Sequence, residues 1–219
     1  MSTRGRRPNI NFVAKRGTQW HAAVPDRAVV STPKPARALC EHGYASLTMQ
    51  DIADECDCST SLLHYHFDTK AELLVELLAH LLDRFQERVS EADPEDPRDR
   101  LVQLVDAFLF GADDRGIEEH RAFHAALLEL RAQAPHTDAF RAQLAENDRR
   151  VHGTVADVVQ RGVDEDRFRR VDPRRTAAHL LAAVQGARIR WVTLGEDAAP
   201  EVVRAALVED VIDGWLTVA

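Results

Sequence analysis

From residue 73 onward, leucines recur at steps of three and four: Leu73, Leu74, Leu77, Leu78, Leu81 and Leu82, followed by Phe85. Glu76, His80, Asp83 and Arg84 fall in the gaps. This is the period a helix needs to hold one apolar stripe against a core, and it predicts a helix from about residue 69 to Val89. The same spacing returns at Leu101, Leu104, Val105, Phe108 and Leu109. It returns again over 117–134, where Phe123, Leu127, Leu128 and Leu130 are expected on the buried side, and from Phe140 through Val159. Two last stripes follow, Leu180 to Trp191 and Val202 to Trp215. Helix breakers separate these segments: the DPEDP run at 93–97, Gly111, Pro135, Asp172 with Pro173, Gly195 and Pro200. No stretch alternates with the two-residue period of a half-buried strand. The pattern predicts an all-α chain of about nine helices.

Between Gly43 and Leu73 the pattern changes scale. Thr48 can cap a short helix whose inner face is Met49, Ile52, Ala53 and Cys56. Asp57 stands where the chain must turn sharply, and Asp tolerates a left-handed backbone better than most residues. Ser59 can cap a second short helix, packed through Leu62, Leu63 and Phe67 with Thr60, Ser61, His64 and Tyr65 pointing outward. Two short helices across a tight turn, with small hydrogen-bonding residues opening the second, form a helix-turn-helix, the arrangement that enters a DNA major groove. Upstream, prolines at 33 and 35 confine the preceding helix to about residues 35–42, with Gly43 as its C-terminal glycine.

At these positions the stretch resembles the DNA-binding region of the TetR family of transcriptional regulators. Gly43, Tyr44, Thr48, Ile52, Ala53, Ser59, Leu63, His66, Phe67, Lys70 and Leu73 fall at the family's spacing over about thirty consecutive positions. The chain departs from the family with Cys56, Asp57, Cys58, Ser61 and His64. The resemblance implies a ligand-responsive regulator, most often a repressor, binding a near-palindromic double-stranded DNA operator as a homodimer. It assigns Thr60, Ser61, Leu62 and Tyr65 to base or groove contacts, with Thr48, Ser59, His64, His66 and Lys70 at phosphates or in support. It also implies a dimer interface built from the last two helices. The expected division is an irregular basic leader over 1–34, a DNA-binding unit with its connecting helix over 35–85, and an effector-binding and dimerisation domain over 86–219. Large apolar residues on central helices nominate Phe108, Phe123, Leu127, Phe140 and Trp191 as effector-pocket walls.

Charge complicates this picture. Residues 1–50 carry eight basic against two acidic side chains, while the whole chain has a net charge of −8. The reading segment holds Asp51, Asp54, Glu55, Asp57 and Asp68 against Lys70 alone. That is an awkward surface for a polyanion, since Lys and Arg supply most phosphate affinity. It keeps open a second reading, a helical small-molecule or metal-binding protein that has lost operator recognition. Cys40, Cys56 and Cys58 are too few for a disulfide framework and suit a reducing cytoplasm, where small buried side chains are the expected role of the last two. His120 and His124, at i and i+4 behind Glu118 and Glu119, lack a second pair with ligand spacing and are expected on a solvated or partly buried face. No cofactor, metal site, membrane span or enzymatic motif is expected.

Overall fold

The computed structural model describes residues 30, 33–91, 94–112 and 116–218. The basic leader lies almost wholly outside them. The described residues form nine helices: α1 (Lys34–Ser46), α2 (Met49–Glu55), α3 (Thr60–His66), α4 (Lys70–Glu91), α5 (Pro97–Phe110), α6 (Ile117–Gln133), α7 (Asp138–Asp164), α8 (Pro173–Leu194) and α9 (Ala199–Ala205). The chain beyond α9 winds on as a π-helical stretch, Ala206–Leu216. The described residues contain no strand; one isolated antiparallel bridge joins Phe168 to Thr217.

Local chemistry sets the helix ends. Asp96 and Asp172 cap α5 and α8, each followed by a proline whose missing N–H costs nothing in a first turn. Gly43 interrupts α1 with φ 69°, a conformation that penalises any side chain. The chain therefore turns between the regular helix before Gly43 and the short turn that ends at Ser46.

Two cores result. The first lies under α1–α4, where Leu39, Ile52, Leu63, Phe67 and Leu74 are buried. It also takes Ala126 and Leu130 from α6 and Phe140 from α7. The second joins α5, α7, α8 and the π-helical stretch through residues such as Leu101, Val159, Leu180 and Ile212. Its packing is closest at Gly162, where an added Cβ would lie 2.1 Å from the Phe168 ring. The long helix α4 serves both cores, with Leu73 to Leu78 in one and Val89 in the other.

Two expectations about buried faces are corrected. On α6 the buried positions are His120, His124, Ala126 and Leu130, while Phe123, Leu127 and Leu128 are only partly covered. The helix is turned so that its histidines face inward between α5 and α8. On α3, Leu63 is fully enclosed but Leu62 keeps part of its surface outside.

Candidate nucleic-acid interface and ligand cavity

The reading head is held by short hydrogen bonds that begin at its caps. The Thr48 hydroxyl accepts from the Asp51 backbone N–H at 3.2 Å, and the Asp51 carboxylate accepts from the Thr48 N–H at 2.7 Å. This reciprocal box fixes the start of α2. The Thr48 hydroxyl also donates to the Asp51 carboxylate at 2.6 Å, and this bond, with that from the Thr48 N–H, holds the Asp51 carboxyl below its ordinary range. The turn passes through Asp57 at φ 54°. Ser59 then caps α3, its hydroxyl accepting from Leu62 N–H at 3.2 Å. Thr60 donates across the turn to Gln50 at 2.5 Å, tying the two helices at their facing ends.

With both ends fixed, α3 presents Ser61, His64 and Tyr65 to solvent, and Tyr65 is 82% exposed. The Tyr65 ring stands edge-on to His66 at 5.0 Å. His66 is half-buried. Of the two roles expected for Lys70, phosphate contact or support, its contacts fit support. Its ammonium donates to the carbonyls of Tyr44 at 2.6 Å and Leu47 at 2.7 Å and lies 4.5 Å from the Tyr44 ring centre. It closes the C-terminal end of α1, and so supports the head rather than facing outward.

Two of the head's five acids are paired with cations of α1. Lys34 pairs with Asp57, and Arg37 pairs with Glu55 at 3.3 Å. Asp54 accepts from Gln50 at 2.7 Å, and Asp51 is committed to its cap. These pairs join residues 18 and 23 positions apart and carry no local signature. Burial pushes the Cys56 thiol up to about 12 and raises Cys58 as well, so neither supplies a thiolate at neutral pH.

Residues of α1, α4, α5, α6, α7 and α8 line an open cavity of about 1010 Å³. Phe85, Phe108, Phe123 and Leu127 line it. Phe85 and Phe108 stack at 5.0 Å. Phe140 and Trp191 do not line it and are corrected. Phe140 is fully buried in the core beneath the head, edge-on to Tyr44 at 5.8 Å. Trp191 is buried behind the two histidines, 6.0 Å from His120 and 6.4 Å from His124.

Polar groups that pattern reasoning missed complete the wall. His120 and His124 approach through their Nε2 atoms at 3.0 Å, and His120 Nε2 is also 3.2 Å from the Leu109 carbonyl. A carbonyl only accepts, so His120 Nε2 carries the proton in that bond. Gln185, Arg131 and Arg188 also line the space. Arg188 was legible only as a charge inside the apolar stripe of α8. Its guanidinium donates to the Phe108 carbonyl and sits 5.8 Å from the Phe108 ring.

Residues 36–77 match the family described as bacterial regulatory proteins, tetR family. Residues 97–217 match that of the BetI-type transcriptional repressor, C-terminal. The chain belongs to the TetR family. It is a DNA-binding transcriptional regulator, in a family of regulators rather than enzymes, and the reading as a protein without operator recognition is not favoured. Among curated relatives, the transcriptional regulator BetI of Agrobacterium fabrum is 30% identical over 183 residues, 81% of this chain and 82% of that one. A TetR regulator from Haloarcula marismortui superposes with a TM-score of 0.77 at 36% identity, over 87% of this chain and 98% of the other. A transcriptional regulator from Saccharomonospora viridis in complex with choline has the same fold, with a TM-score of 0.73 at 24% identity, over 88% and 98% of the two chains. No helix among the described residues is long and apolar enough to cross a membrane.

Proposed function

We propose that this TetR-family chain is a cytoplasmic, ligand-responsive repressor that reads its operator with the outer face of α3. The observation that carries the reading is Tyr65, 82% exposed on a short helix capped by Ser59 and clamped through Thr60. A Tyr held outward offers a partner both an apolar ring and a hydrogen-bonding hydroxyl. Ser61, Leu62 and Tyr65 are assigned to base edges and groove walls, with Thr60 at the entry to the helix. His64, Ser59 and Thr48 are assigned to the flanking phosphates, and His66 to either phosphate or support. Two heads on a near-palindromic site stand roughly 34–36 Å apart.

Dimerisation is assigned to α8 and the segment after it, where Ile189, Leu194 and Val202 are exposed apolar side chains. The division between a DNA-binding unit ending near residue 85 and an effector unit beyond it is part of the same reading. Communication between them is assigned to α6. One stretch of this helix carries His120 and His124 at the cavity. About one and a half turns beyond His124, Glu129 accepts from the Tyr44 N–H at 2.5 Å, beside the Gly43 kink. A ligand that shifts α6 moves the clamp on α1 and with it the platform of α2 and α3. The ligand's effect is bounded by its differential affinity for the two arrangements.

The test is binding of the purified chain to DNA upstream of its own gene, with Tyr65→Ala as the probe variant. Specific binding at two chains or a multiple per site, weakened in the variant, supports the reading. Equal binding to unrelated DNA in both proteins overturns it.

A further inference from the structure

The cavity's charge is the feature that family membership does not explain. Among the described residues its wall carries five arginines, Arg37, Arg84, Arg88, Arg131 and Arg188, against two carboxylates, Glu119 and Asp148. The carboxylates stand at the exposed side: Glu119 is exposed, and the Asp148 side chain is 58% exposed and lies 3.6 Å from His152. Of the arginines, Arg37 is paired with Glu55 outside the cavity. Arg188 is the opposite case. It is half-buried, no carboxylate pairs with it among the described residues, and its Nε is buried without an acceptor. Burial, with repulsion from Arg131, pushes its pKa down to about 9, which leaves it charged at neutral pH. Arg131 is shifted down by burial too, with Asp148 acting in the opposite sense.

A charge enclosed without a counter-ion is costly, and a planar fork of donors matches a carboxylate in two parallel hydrogen bonds. A quaternary ammonium needs open aromatic faces and a negative surround. Here the Phe108 ring already has the Arg188 cation near it, and Phe85 is stacked on Phe108 at 5.0 Å. We infer that the cavity takes an organic monoanion: a carboxylate held by Arg188 with Arg131 nearby, and an apolar body lying along Phe85, Phe123 and Leu127. This rests on the proposed role of the cavity as the effector site, and it assigns the opposite charge preference to that of a choline binder.

The experiment uses the full chain and three probes with the same ten-carbon chain, below their micelle thresholds: decanoate, decanol and decyltrimethylammonium, followed by titration calorimetry. Decanoate is expected to bind about tenfold tighter or better than either other probe, the scale of one hydrogen-bonded charge pair. Arg188→Gln should remove most of that preference, and Arg188→Lys should retain part of it. Helical circular dichroism checks the fold of each variant. If Arg188→Gln does not fold, Arg131→Gln is read instead and should reduce the preference severalfold. Equal or tighter binding of the ammonium overturns the inference, as does a preference unchanged in the variants or no binding by any probe. The operator complex separates the two levels. Decanoate that binds without altering operator affinity leaves the charge preference standing and removes the regulatory reading. Operator release by decyltrimethylammonium alone does the reverse.

Discussion

The reading head and the cavity treat their polar groups in opposite ways. In the head, charges are closed on neighbours: Lys70 on two carbonyls, Asp51 on its cap, and Lys34 and Arg37 on the acids of the α2–α3 turn. In the cavity, Arg188 has one backbone carbonyl as its hydrogen-bond partner among the described residues and lines about 1010 Å³ of space. The head's polar groups hold a shape that a partner will meet. Those of the cavity, on the proposal above, await a ligand. The difference separates structural polarity from binding polarity without reference to residue type.

Substitutions can break this comparison, beginning with the largest effect. Gly162→Ala puts a carbon 2.1 Å from the buried Phe168 ring, so it should cost about 3 kcal/mol despite the better helix propensity of Ala, as read by chemical denaturation. Unchanged stability would mean the core beside the cavity is loose. Lys70→Met should cost about 2 kcal/mol, because it leaves two carbonyls without their donor. Arg188→Met should cost nothing or raise stability by up to about 2 kcal/mol, since a charge without a counter-ion leaves the interior. If the two Met variants lose stability equally, the contrast fails. Glu129→Gln should leave operator binding intact while reducing ligand-induced release by about threefold or more, measured as the coupling between the two sites.

Acid should loosen the head through Asp51, whose pKa is depressed by its hydrogen bonds to Thr48. Its contribution is complete above the ordinary aspartate range and is lost as pH falls through the depressed value. Thr48→Val should flatten that part of the melting-temperature profile at low pH. The smallest effect is chemical: Cys56, pushed up to about 12, has about one thiolate in ten thousand at pH 8. It should therefore resist alkylation until the protein is unfolded, as mass spectrometry would show.

Much of this fold was legible because helices announce themselves locally. The leucine stripe of α4, the Asp-Pro starts of α5 and α8, and Gly43 at the kink each depend on residues within a few positions. So does the helix-turn-helix, with its caps at Thr48 and Ser59. What was not legible depends on distance. The Lys34–Asp57 pair and the Glu129–Tyr44 clamp, with partners 23 and 85 positions apart, come together only when the helices pack. The cavity wall was misread for a different reason. Phe140 and Trp191 are large and apolar and are buried away from the cavity, while His120, His124 and Arg188 join Phe108, Phe123 and Leu127 on its wall. The winding of Ala206–Leu216 into a π-helix has no signal we can identify in its sequence.

The most direct test of the account is fluorescence polarisation of labelled upstream DNA across a salt series, with unrelated DNA as control and Tyr65→Ala alongside the unsubstituted chain. The account predicts specific binding that survives moderate salt and falls by about tenfold or more in the variant, the scale of one lost groove contact. Identical affinity for both DNAs at every salt, untouched by Tyr65→Ala, would contradict it.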